Sequence, residues 1–160
     1  MIEEMVTSVR EEILQRKPFK SLGQEVAIDL LRTADVVRHR LGTALAAYGI
    51  TGPQYNVLRI LRGAGDEGLC TLAVAQRLIE RAPGITRMLD RLEAKGWVRR
   101  ERSATDRREV RCYLTAAGHA LLAETDEAVE QADAKTVTAL TEPESRQLIE
   151  LLDRLRSGLR

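Results

Sequence analysis

Aromatic residues are scarce in this chain of 160: one Trp, three Tyr and one Phe, 3% in all. A core built on them is excluded, so packing must come from Leu, Ile, Val and Ala. Cysteine is nearly as rare. Cys70 and Cys112 form no Cys-x-x-Cys pair and have no His nearby in sequence, which argues against a disulfide framework and a zinc site. No apolar run approaches the ~20 residues that a membrane helix needs. The opening residues MIEEMVTSVREE are acidic and amphipathic, unlike a secretory signal, so the expected compartment is the cytoplasm. The chain also lacks an internal repeat, a Gly-rich phosphate loop, a metal-ligand spacing and a nucleophile–base pair. Nothing in it points to an enzyme.

Net charge is almost absent too, at +1, and by itself that says nothing about nucleic acid. Its distribution says more. Residues 71–112 hold 11 Lys and Arg against 6 Asp and Glu, residues 115–160 hold 5 against 9, and residues 1–70 are balanced at 9 against 9. Positive charge is thus concentrated in one central segment with an acidic C-terminal neighbour. The length suits one domain with a real core.

Periodicity predicts mostly helix. Ile2, Met5, Val6, Val9, Ile13 and Leu14 recur at helical spacing up to Lys17-Pro18. Leu22, Val26, Leu30, Ala34, Val37, Leu41, Leu45 and Tyr48 then form a stripe that ends at Gly49. A helix of that length spans about 40 Å, longer than a small core, so part of it is expected to meet another chain. Thr51 and Gln54 spell a capping box for a helix carrying Tyr55, Leu58 and Leu61 to Gly63. After a loop over 63–68, Thr71 is expected to cap a short helix bearing Leu72, Val74, Ala75 and Leu78. The next helix should begin at or near Pro83, bury Ile85, Met88, Leu89 and Leu92, and stop at Gly96. Residues 98–102 and 109–114 read as strands, the second alternating Val110, Cys112 and Leu114 with Glu109, Arg111 and Tyr113. Thr115 opens a long helix with Leu121, Leu122, Val129, Ala132 and Leu140. A second capping box, Thr141 and Glu144, starts a last helix that should bury Leu148, Leu151, Leu152 and Leu155.

The two helices within 72–95 form a helix-turn-helix candidate whose second helix would enter the major groove N-terminus first. Its exposed residues should be Arg81, Ala82, Pro83, Gly84, Thr86, Arg87, Asp90 and Arg91. Arg87 can fork onto a guanine edge and Thr86 can touch a base or a phosphate. Pro83 and Gly84 offer no polar side chain but permit close approach of backbone to DNA. The bland alternative is a surface helix pair of any α-protein. The hairpin that follows has Asp106, Arg107 and Arg108 at its tip, flanked by Arg99, Arg100, Arg102 and Arg111. An arginine there fits a narrow, A·T-rich minor groove. Asp106 would repel phosphate if free and is better read as a brace for a guanidinium or for turn amides.

Three pieces in combination resemble the MarR (multiple antibiotic resistance regulator) family. They are Asp90-Arg91-Leu92-Glu93-Ala94-Lys95-Gly96, the wing Asp106-Arg107-Arg108 with its Asp-x-Arg pattern, and Leu114-Thr115-Ala116-Ala117-Gly118 with its Leu-Thr-x-x-Gly pattern. The flanking helices extend the likeness over roughly residues 22–156. The resemblance implies a mainly α fold with a small β-hairpin wing: a winged helix-turn-helix core over 51–114, flanked by long dimerisation helices over 1–48 and 115–160. It implies a homodimer on pseudo-palindromic double-stranded DNA, Arg108 as the minor-groove arginine with Asp106 as its brace, and Thr86 and Arg87 as recognition-helix contacts. The corresponding function is a sequence-specific transcriptional regulator, most simply a ligand-responsive repressor.

Two features depart from the family pattern. Ala82-Pro83-Gly84 stands where members often have Ser or Thr, leaving fewer side-chain donors for base readout, and about 20 residues precede Leu22. Many members bind a small aromatic or phenolic effector. Arg38, His39, Tyr48, Tyr55 and Arg59 could line such a pocket, although the two tyrosines read rather as core residues with hydroxyls at its edge. Neither cysteine lies where peroxide-sensing members keep theirs. Cys112 reads as buried and inert. Cys70, beside a helix start, is the one candidate for a redox role. A winged helix used only for protein–protein assembly is the rival from another class, and the arginine-rich wing and basic recognition helix argue against it.

Overall fold

The computed structural model describes residues 7–81, 83–102 and 110–159, which fall into two compact units, Met1–Arg40 and Leu41–Arg160. No helix among the described residues is long and apolar enough to cross a membrane.

The first unit holds α1 (Val9–Glu12) and most of α2 (Leu22–Ala46). Among the described residues the helix begins at Val9, because Ser8 caps it with extended backbone and a capping box, its amide donating to Glu11 Oε2 at 2.9 Å. An N-cap of this kind satisfies the first free amides of a helix and so fixes where it begins. Ile2, Met5 and Val6 lie outside the described residues. Arg10 closes the far end by donating to the carbonyls of Gln15 and Arg16 at 3.1 and 2.9 Å. Arg32 on α2 pairs with Glu12 at 3.0 Å.

The second unit begins with the last turns of α2. Gly49, at φ 65°, ends that segment as expected. α3 (Gly52–Ala64) starts on the predicted Thr51–Gln54 box. A single 3-10 turn, Gly65–Glu67, leads to β1 (Leu69–Cys70), a strand that sequence periodicity missed. Two residues are too few to show alternation. The strand exists because β3 (Val110–Leu114) offers it a partner, pairing Leu69 with Cys112 and Cys70 with Arg111. β3 also pairs with β2 (Val98–Arg102), giving an antiparallel sheet in the order β1-β3-β2.

α4 (Thr71–Arg77) has Cys70 at its N-cap, so Thr71 is the first helical residue rather than the cap. Leu72 is 67% exposed, and Val74 alone is fully buried on this helix. α5 (Ile85–Ala94) starts two residues after Pro83, because Gly84 sits at the N-cap with φ 99°. That left-handed conformation is one that residues with a Cβ rarely adopt.

Thr115 caps α6 (Ala116–Thr136) as predicted, accepting from the Gly118 amide at 3.1 Å. The same hydroxyl donates to the Gly96 carbonyl at 2.7 Å, and the Thr115 amide donates to the Trp97 carbonyl at 3.1 Å. This is the physical content of the Leu-Thr-x-x-Gly stretch: one threonine starts a helix and ties it to the turn before β2. α6 ends before Leu140, which the sequence had assigned to it.

α7 (Glu142–Gly158) starts on its predicted box, but none of its residues is buried within the chain. Leu148, Leu151 and Leu155, expected in a core, are exposed, and Leu152 is half-buried. The core of this unit includes Leu45, Ile50, Tyr55, Val57, Leu58, Leu61, Val74, Leu89, Leu92, Val98, Cys112 and Leu122. It is largely aliphatic, as the poverty in aromatics required.

Candidate nucleic-acid interface

α4, the turn after it and α5 form the helix-turn-helix. The turn is tied to α3, where Asn56 Oδ1 accepts from the Ile79 amide at 3.1 Å. On α5, Leu89 and Leu92 are fully buried and Ile85 and Met88 half-buried. Helical geometry therefore turns the other side outward, and Thr86, Arg87, Asp90 and Arg91 are exposed there. Arg81, Pro83 and Gly84, which lead into the helix, are exposed as well. These residues make a surface with three guanidinium groups, a hydroxyl, a carboxylate and open backbone. It has the donors that base edges and phosphates accept.

The wing is the β2–β3 ribbon, in register from Val98 opposite Leu114 to Arg102 opposite Val110. Asp106, Arg107 and Arg108 lie outside the described residues, between those ends. The arginines that flank them differ in their surroundings. Arg99 stacks on Tyr113 across the ribbon, 4.2 Å from the ring centroid, and pairs with Glu101. Arg111 Nη1 donates to the Glu67 carbonyl at 2.9 Å. Arg102 is exposed near the end of the ribbon.

Arg100 takes a role that sequence reasoning missed. It forks onto Glu93 and also reaches Asp90, joining β2 to the recognition helix. The Glu93 hydrogen bond, with help from Asp90, pushes its guanidinium even further from titration. No spacing rule links residues on either side of the Gly96 turn, so no local pattern signals this pair. A second tie holds the C-terminal end of α5. Lys95 Nζ donates to the Gly49 carbonyl at 2.9 Å and lies 4.4 Å from the Trp97 ring centroid. The carbonyl end of a helix attracts a cation, and Gly49 closes the segment after α2.

Of the residues considered for an effector pocket, Tyr55 is 5% exposed and belongs to the core, with Tyr48 packed against it. Burial pushes the Tyr55 phenol above its ordinary value, and Arg59 lies over its ring at 5.8 Å. Arg38 and His39 are exposed on α2 in the first unit. Cys112 is fully buried, and that burial pushes its thiol up, away from the reactive thiolate. Cys70 is half-buried at the start of α4. No group of three or more His, Cys, Asp or Glu among the described residues could hold a metal.

Comparison with known proteins gives this arrangement its context. Residues 50–110 match the sequence model of the MarR family. The chain is 31% identical over 128 residues to the HTH-type transcriptional repressor Rv2887 of Mycobacterium tuberculosis, covering 80% of this chain and 91% of that protein. A MarR transcription factor from Planctomyces limnophilus has a similar structure, with a TM-score of 0.66 and 38% identity over 85% of this chain and 98% of its own. A mutant Escherichia coli MarR complexed with operator DNA superposes with a TM-score of 0.77 at 27% identity, covering 85% of this chain and 99% of the other.

Proposed function

The chain belongs to the MarR family, and from that premise we propose that it is a DNA-binding transcriptional regulator, a homodimeric repressor working on a two-fold-related operator. The observation that carries this is the open face of α5, with Thr86, Arg87 and Arg91 exposed beside a ribbon rich in arginine. The likeness to an operator-bound MarR supports it. In this reading Arg87 reads a guanine edge and Thr86 contacts a base or phosphate. Arg81 and Arg91 hold phosphates, and Pro83 and Gly84 let the backbone come close. Arg107 and Arg108 reach the flanking minor groove, with Asp106 bracing the tip. Residues 51–114 form the reading core, and the helices over 1–48 and 115–160 form the dimer. The protein acts by binding, without a catalytic step, and a small aromatic or phenolic effector would act on that binding.

Selection of bound sequences from a random DNA pool tests the reading. It should enrich a pseudo-palindrome whose half-sites lie about 10 base pairs apart. Affinity for that site should drop by orders of magnitude between roughly 50 and 200 mM salt, as counterions are released from several phosphate contacts. Failure to enrich any sequence, or an affinity indifferent to salt, overturns it.

A further inference from the structure

β2 lies at the edge of the sheet, paired with β3 on one side only, and an edge strand leaves amides unpaired. The Arg100 amide uses that freedom to donate to Glu93 Oε1 at 3.0 Å. The side chain of the same residue donates to Glu93 Oε2 from Nε at 2.8 Å and from Nη2 at 2.6 Å. Nη2 also lies 2.7 Å from Asp90 Oδ1. One strand residue thus grips two carboxylates, three positions apart, on a single side of the recognition helix. Asp90 is itself on the exposed face with Thr86, Arg87 and Arg91.

The side chains of Arg100, Asp90 and Glu93 are 23%, 53% and 37% exposed. Ion pairs this open to water add little to folding stability. What the cluster does supply is direction. A planar guanidinium and a backbone amide from one residue fix both the rotation of α5 about its axis and its distance from the ribbon.

We propose that Arg100 is a positioning residue for DNA reading: by holding Asp90 and Glu93 it sets the orientation of α5 against the wing, so that the two elements address the duplex as one body. The same contacts neutralise two carboxylates that would otherwise stand unpaired in a DNA-binding face. This role rests on the DNA-binding function proposed above.

The test measures binding of the full-length protein to its selected operator and to single-base variants of it, at fixed salt, with thermal unfolding alongside. Glu93→Gln is the informative change because charge alone and positioning predict opposite signs. Removing a negative charge beside DNA tightens binding if only charge matters. Loss of the Arg100 grip should weaken it by roughly fivefold or more and flatten the discrimination between operator and variants. Arg100→Gln should weaken it by about tenfold, and Arg100→Gln with Glu93→Gln no further, because the two residues share one task. Arg100→Lys, a point charge without a fork, should restore only part of the loss.

Equal or tighter binding by Glu93→Gln overturns the proposal. So does a double variant whose loss is the product of the single losses, which would make Arg100 an independent DNA contact. If Arg100→Gln is unfolded at the assay temperature, the sign of the Glu93→Gln effect decides alone. Wild-type protein that selects no DNA sequence overturns the proposed function, and this role with it. Wild-type protein that binds while all variants match it overturns this role only.

Discussion

At position 118 the side chain is a hydrogen atom because the first turn of α6 lies directly on the turn before β2. A Cβ built there would run into the Trp97 carbonyl oxygen and the Leu114 side chain. A carbonyl held by the Thr115 amide at 3.1 Å cannot retreat without breaking that bond. Gly118→Ala is therefore expected to destabilise the fold by roughly 1–3 kcal/mol, as overpacking of a tight contact does. For a chain of this size that lowers the melting temperature by several degrees, at about 2–4 °C per kcal/mol. Gly63→Ala serves as the control, since nothing lies within 4 Å of a Cβ at that helical position. It should be neutral or slightly stabilising, because alanine suits a helix interior better than glycine. Thermal unfolding of both variants checks the pair, and equal melting temperatures would sink the account. Residue-scale roles were legible where they depended on local pattern. The exposure of Thr86 and Arg87 follows from the 3.6-residue period of Ile85, Met88, Leu89 and Leu92. The grip of Arg100 on Glu93 was not legible, because it depends on how a turn folds one element against another.

Helix starts were the most readable elements and also the place where spacing misled. Thr51 with Gln54 and Thr141 with Glu144 were identified by pattern, and both boxes are present. Ser8 with Glu11 forms a third box of the same pattern, hidden in the sequence by apolar spacing that runs through it from Ile2 to Ile13. β1 was invisible for a different reason: its two residues become a strand only against β3. The Thr141 box makes a testable prediction about acid. Glu144 Oε2 accepts from the Thr141 amide and hydroxyl, each at 2.7 Å, and these bonds hold its carboxyl below the usual 4.5, with the amide contributing most. The folded state therefore favours the ionised form. Its contribution is complete above the ordinary glutamate value and is lost as the pH falls through the lowered one. Protection of the Thr141 amide against hydrogen exchange should fall over that acid range, after correction for intrinsic rates. In Glu144→Gln the acid step should vanish, because an amide keeps the capping geometry without titrating. A step that persists in the glutamine variant would assign the acid response to another group.

For the whole molecule the decisive feature is apolar surface that one chain leaves uncovered. α7 is 17 residues long and has no buried residue, although Leu148, Ile149, Leu151 and Leu155 are 37–59% exposed and recur at helical spacing. A helix of this length is barely stable in water on propensity alone, so its formation calls for packing of its apolar side. In the first unit α2 likewise exposes Leu22, Val26, Leu31 and Val36. Apolar side chains left exposed along two helices of a short chain are what a subunit interface would cover, and the simplest closed arrangement is a two-fold dimer. Sedimentation at micromolar concentration should therefore report about twice the 17.9 kDa of one chain, and the unfolding midpoint should rise with protein concentration, since assembly and folding are linked. Replacing Leu151 and Leu155 together by Glu should reduce the mass to that of a monomer. DNA binding should then lose its dependence on half-site spacing, because each reading core would meet the duplex alone. A wild-type protein that sediments as a single species of 17.9 kDa, or a double variant that keeps both the larger mass and the spacing dependence, would show that α7 is not part of the interface.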